Sequence, residues 1–190
     1  MNEGSNPGGA KAASAGRWRD GVVATLARRR VTLGFLTAAA VLVLATPTWT
    51  SWRAGLLVAA AGEALRLWAA GHLEKSREVT SSGPYRLTRH PLYLGSSVIA
   101  LGAVIAAHSM VVALLAGIYL LATLAAAVRT EEAFLSERFG DVYDRYQRSA
   151  VPAATRRFSV GRAMRNREHR AVLGLAGAFA LLALKIVLPI

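Results

Sequence analysis

The sequence lacks cysteine and is poor in acidic residues, with 11 Asp and Glu against 23 Lys and Arg in 190 residues. Without cysteine, disulfide bonds, thiolate metal sites and cysteine nucleophiles are excluded. No helix-turn-helix, zinc-finger or aromatic RNA-binding pattern accompanies the net charge of +12, so we expect no nucleic-acid partner. His72, His108 and His169 are scattered without the spacing of metal ligands, and we expect no metal site.

Hydrophobic residues are abundant, at 54% of the chain, and they cluster in long runs. A helix needs roughly 20 mostly apolar residues to cross the hydrocarbon core of a bilayer. Five runs reach or approach this length: 31–48, 52–70, 92–107, 110–128 and 171–190. The sequence therefore predicts an all-α fold, an integral membrane helical bundle with about five transmembrane helices.

The amino-terminal segment differs in composition from the rest of the chain. Residues 1–16 are rich in Gly, Ala, Ser and Asn without any periodic pattern, which predicts a disordered tail. Residues 17–190 contain no internal repeat, and we expect them to form one membrane domain.

Lys and Arg concentrate in alternate connections between the apolar runs. Segment 1–30 holds six basic residues, 71–91 holds four and 129–170 holds ten, whereas the intervening connections hold almost none. Because cytoplasmic loops of membrane proteins are enriched in Lys and Arg, this bias predicts a multi-pass protein with a cytoplasmic amino terminus and a carboxyl terminus outside.

Two features within or beside the runs allow a structural or a functional interpretation. Glu63 and Arg66 fall inside the second run, three residues apart and so on one helix face. A structural ion pair is the favoured interpretation, and a role in a substrate pocket is the alternative. Residues 131–148 show apolar side chains at helical spacing, which predicts an amphipathic helix at the cytoplasmic interface with a bend at Gly140.

The densest motif is the stretch GPYRLTRHPLYLG at 83–95. Pro84 and Pro91 fix backbone angles and remove amide donors, so a shaped turn should enter the third apolar run at Pro91. Gly95 permits a close approach to the helix that follows. A loop of this composition is suited to holding a ligand at the membrane surface.

Three motifs in this order resemble the isoprenylcysteine carboxyl methyltransferase family and the related membrane phospholipid methyltransferases. They are TSSGPY at 80–85, RHPLYLG at 89–95, and RTEE at 129–132, the last followed by Phe139-Gly140, Tyr143, Tyr146 and Val151-Pro152. The resemblance covers roughly residues 70–152, which would form the cofactor-binding core.

The resemblance implies that the chain binds S-adenosyl-L-methionine. By position, the cofactor-binding residues would be Val79, Thr80, Tyr85, His90, Pro91, Leu92, Tyr93 and Glu131. Arg129 and Glu132 would be the catalytic residues, with Glu132 completing the acidic pair.

Elementary chemistry leads to a compatible interpretation. Glu131 or Glu132 can bind the amino group of the cofactor by charge-assisted hydrogen bonds. Arg89 or His90 can receive its carboxylate, and tyrosine faces can pack on the adenine or the sulfonium.

The acceptor and the reaction class stay open at the level of sequence. A membrane location implies a lipid-like acceptor, either an isoprenoid carboxylate, which needs no general base, or a phospholipid amine, for which Glu132 or His90 would take the proton. The alternatives are an NADPH-dependent membrane reductase of the sterol-reductase type and a non-enzymatic membrane protein. The oligomeric state is not predicted.

Overall fold

The computed structural model describes residues 32, 34, 36–75, 77–148 and 154–188, and within these ranges it contains helices and no strands. The predicted all-α class is therefore confirmed for the described residues, whereas the predicted disordered tail 1–16 lies outside them. The first helical segment, α1, covers residues 36–44. The later elements are α2 (Trp49–Ala70), a 3-10 helix (Gly83–Arg86), α3 (Pro91–Ala107), α4 (Met110–Phe139), α5 (Asp141–Gln147), α6 (Val160–Arg165) and α7 (Glu168–Val187).

Local sequence explains where these helices begin. Thr48 caps α2 and forms a capping box with Ser51, which satisfies free backbone amides of the first turn. Pro91 occupies the first position of α3, where a missing amide hydrogen costs nothing. The turn between α3 and α4 is short, with His108 in the left-handed region (φ 49°) and Ser109 capping α4.

Small residues allow α2 and α3 to pack closely as an antiparallel pair. A Cβ added to Gly62 would lie 2.8 Å from the carbonyl oxygen of Gly95, and one added to Gly102 would overlap the backbone of α2 near Gly55. Such contacts between small residues bring helix backbones together where hydrophobic burial alone gives little driving force. The close approach expected at Gly95 is thus made by α2.

The bundle has one polar end, which carries loop 71–90, α5 and residues 154–167. The Ser159 amide and the Arg162 guanidinium donate to the carbonyl oxygen of Gly71, at 3.1 and 2.8 Å. Asn166 caps the end of α2 by donating to the carbonyl oxygens of Ala70 and Leu73. The two segments that the sequence marks as basic, 71–91 and 129–170, therefore meet at one end of the bundle where the structure describes them.

The opposite end carries the two short turns and the end of α7. Thr46 donates from its amide to the carbonyl oxygen of Ala107 at 2.8 Å, which joins the turns at 45–48 and 108–109. Lys185 donates to the carbonyl oxygens of Leu42 and Val43 at the end of α1. This end has few charges, as the loop bias predicts.

Two described helices, α4 and α7, are long and apolar enough to cross a membrane. Helix α3 is apolar but has 17 residues, and α2 has 22 residues with charges inside it. The first predicted span, 31–48, is described only in part. Five transmembrane helices therefore stay a prediction.

The structure differs from the sequence prediction after residue 128. The amphipathic helix expected over 131–148 is not separate, because α4 continues without a break to Phe139. A helix of 30 residues is about 45 Å long, which exceeds a hydrocarbon core of about 30 Å, so its last turns extend into the polar end. The expected bend at Gly140 is present as a full break, with φ at 44°, and α5 follows it.

Candidate active site

A cavity of about 570 Å³ opens at the polar end of the bundle. Its wall is formed by Arg66 of α2, loop residues from 73 to 90, the first turns of α3 and one face of α4 from Thr123 to Leu135. Tyr143 and Tyr146 of α5, Asn166, and Glu168 at the start of α7 complete it. Because α3 and α4 are antiparallel and joined by a short turn, the start of α3 and the second half of α4 come to the same side.

The structure brings together the eight residues that the sequence assigns to cofactor binding. Each of them lines this cavity: Val79, Thr80, Tyr85, His90, Pro91, Leu92, Tyr93 and Glu131. They come from the loop, the 3-10 helix, the start of α3 and α4, so two motifs separated by some 40 residues meet at one surface. Their roles as ligand contacts stay a prediction.

Polar contacts and one positive φ angle fix the shape of the loop. His72 is buried, with its Nδ1 atom 3.1 Å from the Ser82 hydroxyl. Burial, followed by Arg162 and Arg156, lowers the pKa of His72, so the ring is neutral near neutral pH. Gly83 lies against this ring with φ at 57°, where a side chain would overlap the imidazole. His72 thus supports the loop.

Tyr85 and Tyr146 couple the loop to α5. The Tyr146 hydroxyl donates to the carbonyl oxygen of Tyr85 at 2.9 Å. Burial raises the pKa of Tyr146 to about 12. Burial also raises the pKa of Tyr85, and the nearby carboxylates Glu131 and Glu168 add to this increase. Both phenols therefore stay neutral at physiological pH, which suits them to hydrogen bonding and aromatic packing.

The two predicted catalytic residues have different positions from the eight. Arg129 is exposed and is not part of the cavity wall. Glu132 is also outside the wall, but its Oε1 atom lies 3.2 Å from His90 Nε2 and 3.5 Å from Arg89 Nη1. Because His90 and Arg89 do line the cavity, Glu132 acts on it by orienting these two side chains.

The carboxylates of the cavity wall differ in their pairing. Glu78 pairs with Arg156 at 2.6 Å, and Glu74 lies 3.6 Å from Arg165. Glu168 pairs with Arg66 at 2.7 Å. Among the described residues, Glu131 alone of these four has no ion-pair partner. It is therefore available for a cationic group that enters the cavity.

Several wall residues lie outside the set that the sequence assigned to cofactor binding and catalysis, among them Arg66, Ser96, Asn166 and Glu168. Arg66 donates to Glu168 and, at 2.5 Å, to Ser96, so the predicted Glu63–Arg66 pair at 3.9 Å is the weaker contact. In the sequence, the only indication for this part of the wall is the charge of Arg66 inside an apolar run, which favoured a structural ion pair with Glu63. Glu168 lies in an arginine-rich stretch, and this stretch predicts a cytoplasmic loop but gives no indication that Glu168 lines a cavity.

The phospholipid methyltransferase family model matches residues 35–142, which is more than half of the sequence. The chain belongs to the phospholipid methyltransferase family. The predicted resemblance is confirmed.

A curated relative agrees with this assignment to the phospholipid methyltransferase family. The protein-S-isoprenylcysteine O-methyltransferase of Schizosaccharomyces pombe is 33% identical over 93 residues, which are 49% of this chain and 39% of the relative. The match therefore spans well under two thirds of the relative. No solved structure matches the chain.

The part of the chain that matches the phospholipid methyltransferase family contains all eight predicted cofactor residues and also Arg129 and Glu132. It ends before Tyr143 and Tyr146. It also ends before Asn166 and Glu168, so the family match does not account for the part of the cavity wall that these two residues contribute.

Proposed function

We propose that the chain is an integral membrane methyltransferase that uses S-adenosyl-L-methionine to methylate a lipid-like acceptor. The observation that carries the proposal is that the eight residues which the resemblance assigns to the cofactor all line one cavity. The family match supports a methyltransferase over the reductase considered from sequence, because the matched region holds those residues.

The cavity fits S-adenosyl-L-methionine in size and in chemistry. Its volume of about 570 Å³ lies within the roughly 300–1,000 Å³ of small-molecule sites. Glu131 offers a carboxylate without a cation partner to the amino group of the cofactor. Arg89, held by Glu132, faces the cavity as a donor for its carboxylate. The rings of Tyr85 and Tyr93 supply flat surfaces for the adenine or the sulfonium.

The cofactor supplies an electrophilic methyl group on a positively charged sulfur. The chain has to align this group with the acceptor and keep water away, and alignment alone can contribute several kcal/mol, about 7–11 in well-oriented systems. The part of the cavity wall around Tyr85 is held in place by two buried prolines, Pro84 and Pro91, and by the hydrogen bond from Tyr146 to the loop. Neutral Tyr85 places no competing negative charge near the sulfonium.

The acceptor is an isoprenoid carboxylate or a phospholipid amine. Phe134 and Leu135 form an apolar part of the wall on α4, where it leaves the membrane, and suit acyl or prenyl chains. For an amine, His90 faces the cavity and would take the proton, while Glu132 orients its ring.

We further propose five spans, a cytoplasmic amino terminus and a cavity at the cytoplasmic face. The positive-inside bias supports this arrangement, because the described residues of loop 71–91 and of segment 129–170 lie at the polar end with the cavity. The cofactor is made in the cytoplasm, and membrane lipids would surround α4 and α7.

The test is methyl transfer by the purified protein in lipid nanodiscs, with radiolabelled S-adenosyl-L-methionine and each acceptor class. We expect saturable transfer to a lipid. Phe134→Asp should lower turnover at least about tenfold while cofactor affinity stays unchanged, because it places a charge where hydrocarbon binds. Leu87→Asp, at a residue 81% exposed and outside the wall, is the matched control. Loss of cofactor affinity together with turnover in Phe134→Asp would contradict this assignment of the wall.

A further inference from the structure

Tyr143 of α5 lines the cavity and has a hydroxyl group that lacks a partner among the described residues. The residue is 1% exposed, and its hydroxyl oxygen makes no hydrogen bond there. Gln147, which is exposed, lies close to this hydroxyl but does not meet the geometry of a hydrogen bond. An unsatisfied polar group inside a protein is costly, and nearly all such groups have a partner. Because Tyr143 lines a cavity, a bound ligand is able to supply that partner.

Tyr146, one turn further along α5, shows the opposite arrangement. Its ring lies beside that of Tyr143, with 6.2 Å between the centroids, and it also lines the cavity. Its hydroxyl donates to the carbonyl oxygen of Tyr85 at 2.9 Å. The same short helix therefore carries one tyrosine hydroxyl that is bonded within the protein and one that is not.

The groups around Tyr143 indicate which part of the cofactor its hydroxyl can meet. Burial raises the pKa of Tyr143, so the phenol keeps its proton at physiological pH and is a hydrogen-bond donor. The charges of Arg89 and Glu131 both act on it, which places Tyr143 near the two side chains proposed for the carboxylate and the amino group of the cofactor. These two groups of the cofactor are bonded to one carbon atom. A neutral donor near both side chains is suited to the carboxylate.

Contact with the hydroxyl requires a small movement of α5, because less than 1 Å² of the hydroxyl oxygen is open to water in the ligand-free protein. Gly140 joins α4 to α5 with φ at 44° and ψ at −124°, outside the helical region. A Cβ added to Gly140 would meet nothing within 4 Å, so rotation at this residue displaces no close neighbour. The connection between the two helices therefore allows α5 to adjust to a ligand.

Resting on the proposed function, we propose that Tyr143 is a further cofactor-binding residue whose hydroxyl donates to the carboxylate of S-adenosyl-L-methionine beside Arg89. The ligand-free protein keeps this donor unsatisfied, and the cofactor satisfies it. Helix α5 thereby closes on the amino-acid end of the cofactor.

The test uses the full-length protein in nanodiscs and the variant Tyr143→Phe, which keeps the ring and removes only the hydroxyl. Tyr146→Phe is the matched control, because its hydroxyl has a partner within the protein. Two ligands are titrated by calorimetry. S-adenosylhomocysteine carries the amino-acid end, whereas methylthioadenosine has the same adenosine and thioether without it. The Tm of the ligand-free protein is the second readout.

We expect Tyr143→Phe to raise the Kd of S-adenosylhomocysteine about 10- to 100-fold, since it removes a hydrogen bond to a charged group. The Kd of methylthioadenosine should stay within about twofold of the wild type, because this ligand has no carboxylate. The Tm of ligand-free Tyr143→Phe should be unchanged or higher, because the variant removes a buried group that nothing satisfies. Tyr146→Phe should instead lower Tm.

Three results would overturn the inference. One is an unchanged Kd of S-adenosylhomocysteine in Tyr143→Phe. The second is an equal weakening of both ligands, which would place the lost contact away from the carboxylate. The third is a loss of Tm as large as that in Tyr146→Phe, which would mean that a protein group such as Gln147 already satisfies the hydroxyl. Failure of the wild type to bind S-adenosylhomocysteine would contradict the proposed function instead, so the two failures are distinguishable.

Discussion

Glu131 and Glu132 are neighbours with the same side chain but different surroundings, so variants of the two residues test the proposed cofactor site. Glu131 lines the cavity and has no ion-pair partner among the described residues. Glu132 lies outside the wall and holds His90 and Arg89. Glu131→Gln should therefore weaken cofactor binding directly, whereas Glu132→Gln should act only through the side chains that it orients.

The magnitude follows from the contact that is lost. A hydrogen bond to a charged group contributes about 1.5–3 kcal/mol, which corresponds to about 10- to 150-fold in Kd. Since no cation in the described structure loses a partner, Glu131→Gln should change the free energy of unfolding by less than about 0.5 kcal/mol. Glu132→Gln removes a partly exposed ion pair with Arg89 and a contact with His90, so up to about 1 kcal/mol of stability should be lost.

Calorimetric titration of S-adenosylhomocysteine into each purified variant measures the effect, and thermal melting measures stability. His90→Ala should lose affinity like Glu131→Gln. The control Glu137→Gln, at an exposed residue outside the wall, should match the wild type. The reasoning is refuted if Glu131→Gln binds within about threefold of the wild type while Glu132→Gln loses most of its affinity.

Three further predictions test packing, ionisation and topology. Gly62→Val should lower the free energy of unfolding, measured by thermal melting, by about 1–3 kcal/mol, because its Cβ would lie 2.7 Å from the backbone of α3. A Cβ at the control position Gly117 has nothing within 4 Å, so an equal loss of stability in Gly117→Val would contradict the packing of α2 on α3. The pKa of Tyr146 is raised from 10 to about 12 in the folded protein. Its contribution to the free energy of unfolding is therefore complete below pH 10 and is lost as the pH rises towards 12. Tyr146→Phe should reduce this alkaline loss of Tm, and an identical pH profile would contradict the assignment. A reporter fused to the carboxyl terminus should be active only outside the cytoplasm, and cytoplasmic activity would mean that a span was misread.

The arrangement of the loop, α3 and α4 was predictable because its causes are local. Pro91 fixes the start of α3, and the short turn at His108 forces α4 to run back. Two sequence motifs on adjacent antiparallel helices then have to meet at one end. The eight assigned residues reached one cavity for this reason.

The contribution of α7 was not predictable from local sequence. Glu168 and Arg66 are 102 residues apart, and their contact depends on how α7 packs on α2. The continuation of α4 to Phe139 was also missed, because an amphipathic pattern looks the same in a separate helix and in the end of a long one. Arg129 follows the family motif in sequence, yet its position on α4 leaves it exposed outside the wall.

The cavity as a site for S-adenosyl-L-methionine is the central claim, and ligand binding tests it most directly. Radiolabelled S-adenosyl-L-methionine and NADPH are each titrated into the purified protein in nanodiscs. We predict saturable binding of S-adenosyl-L-methionine that S-adenosylhomocysteine displaces and that Glu131→Gln weakens, with no saturable binding of NADPH. Saturable binding of NADPH without binding of S-adenosyl-L-methionine would contradict the account.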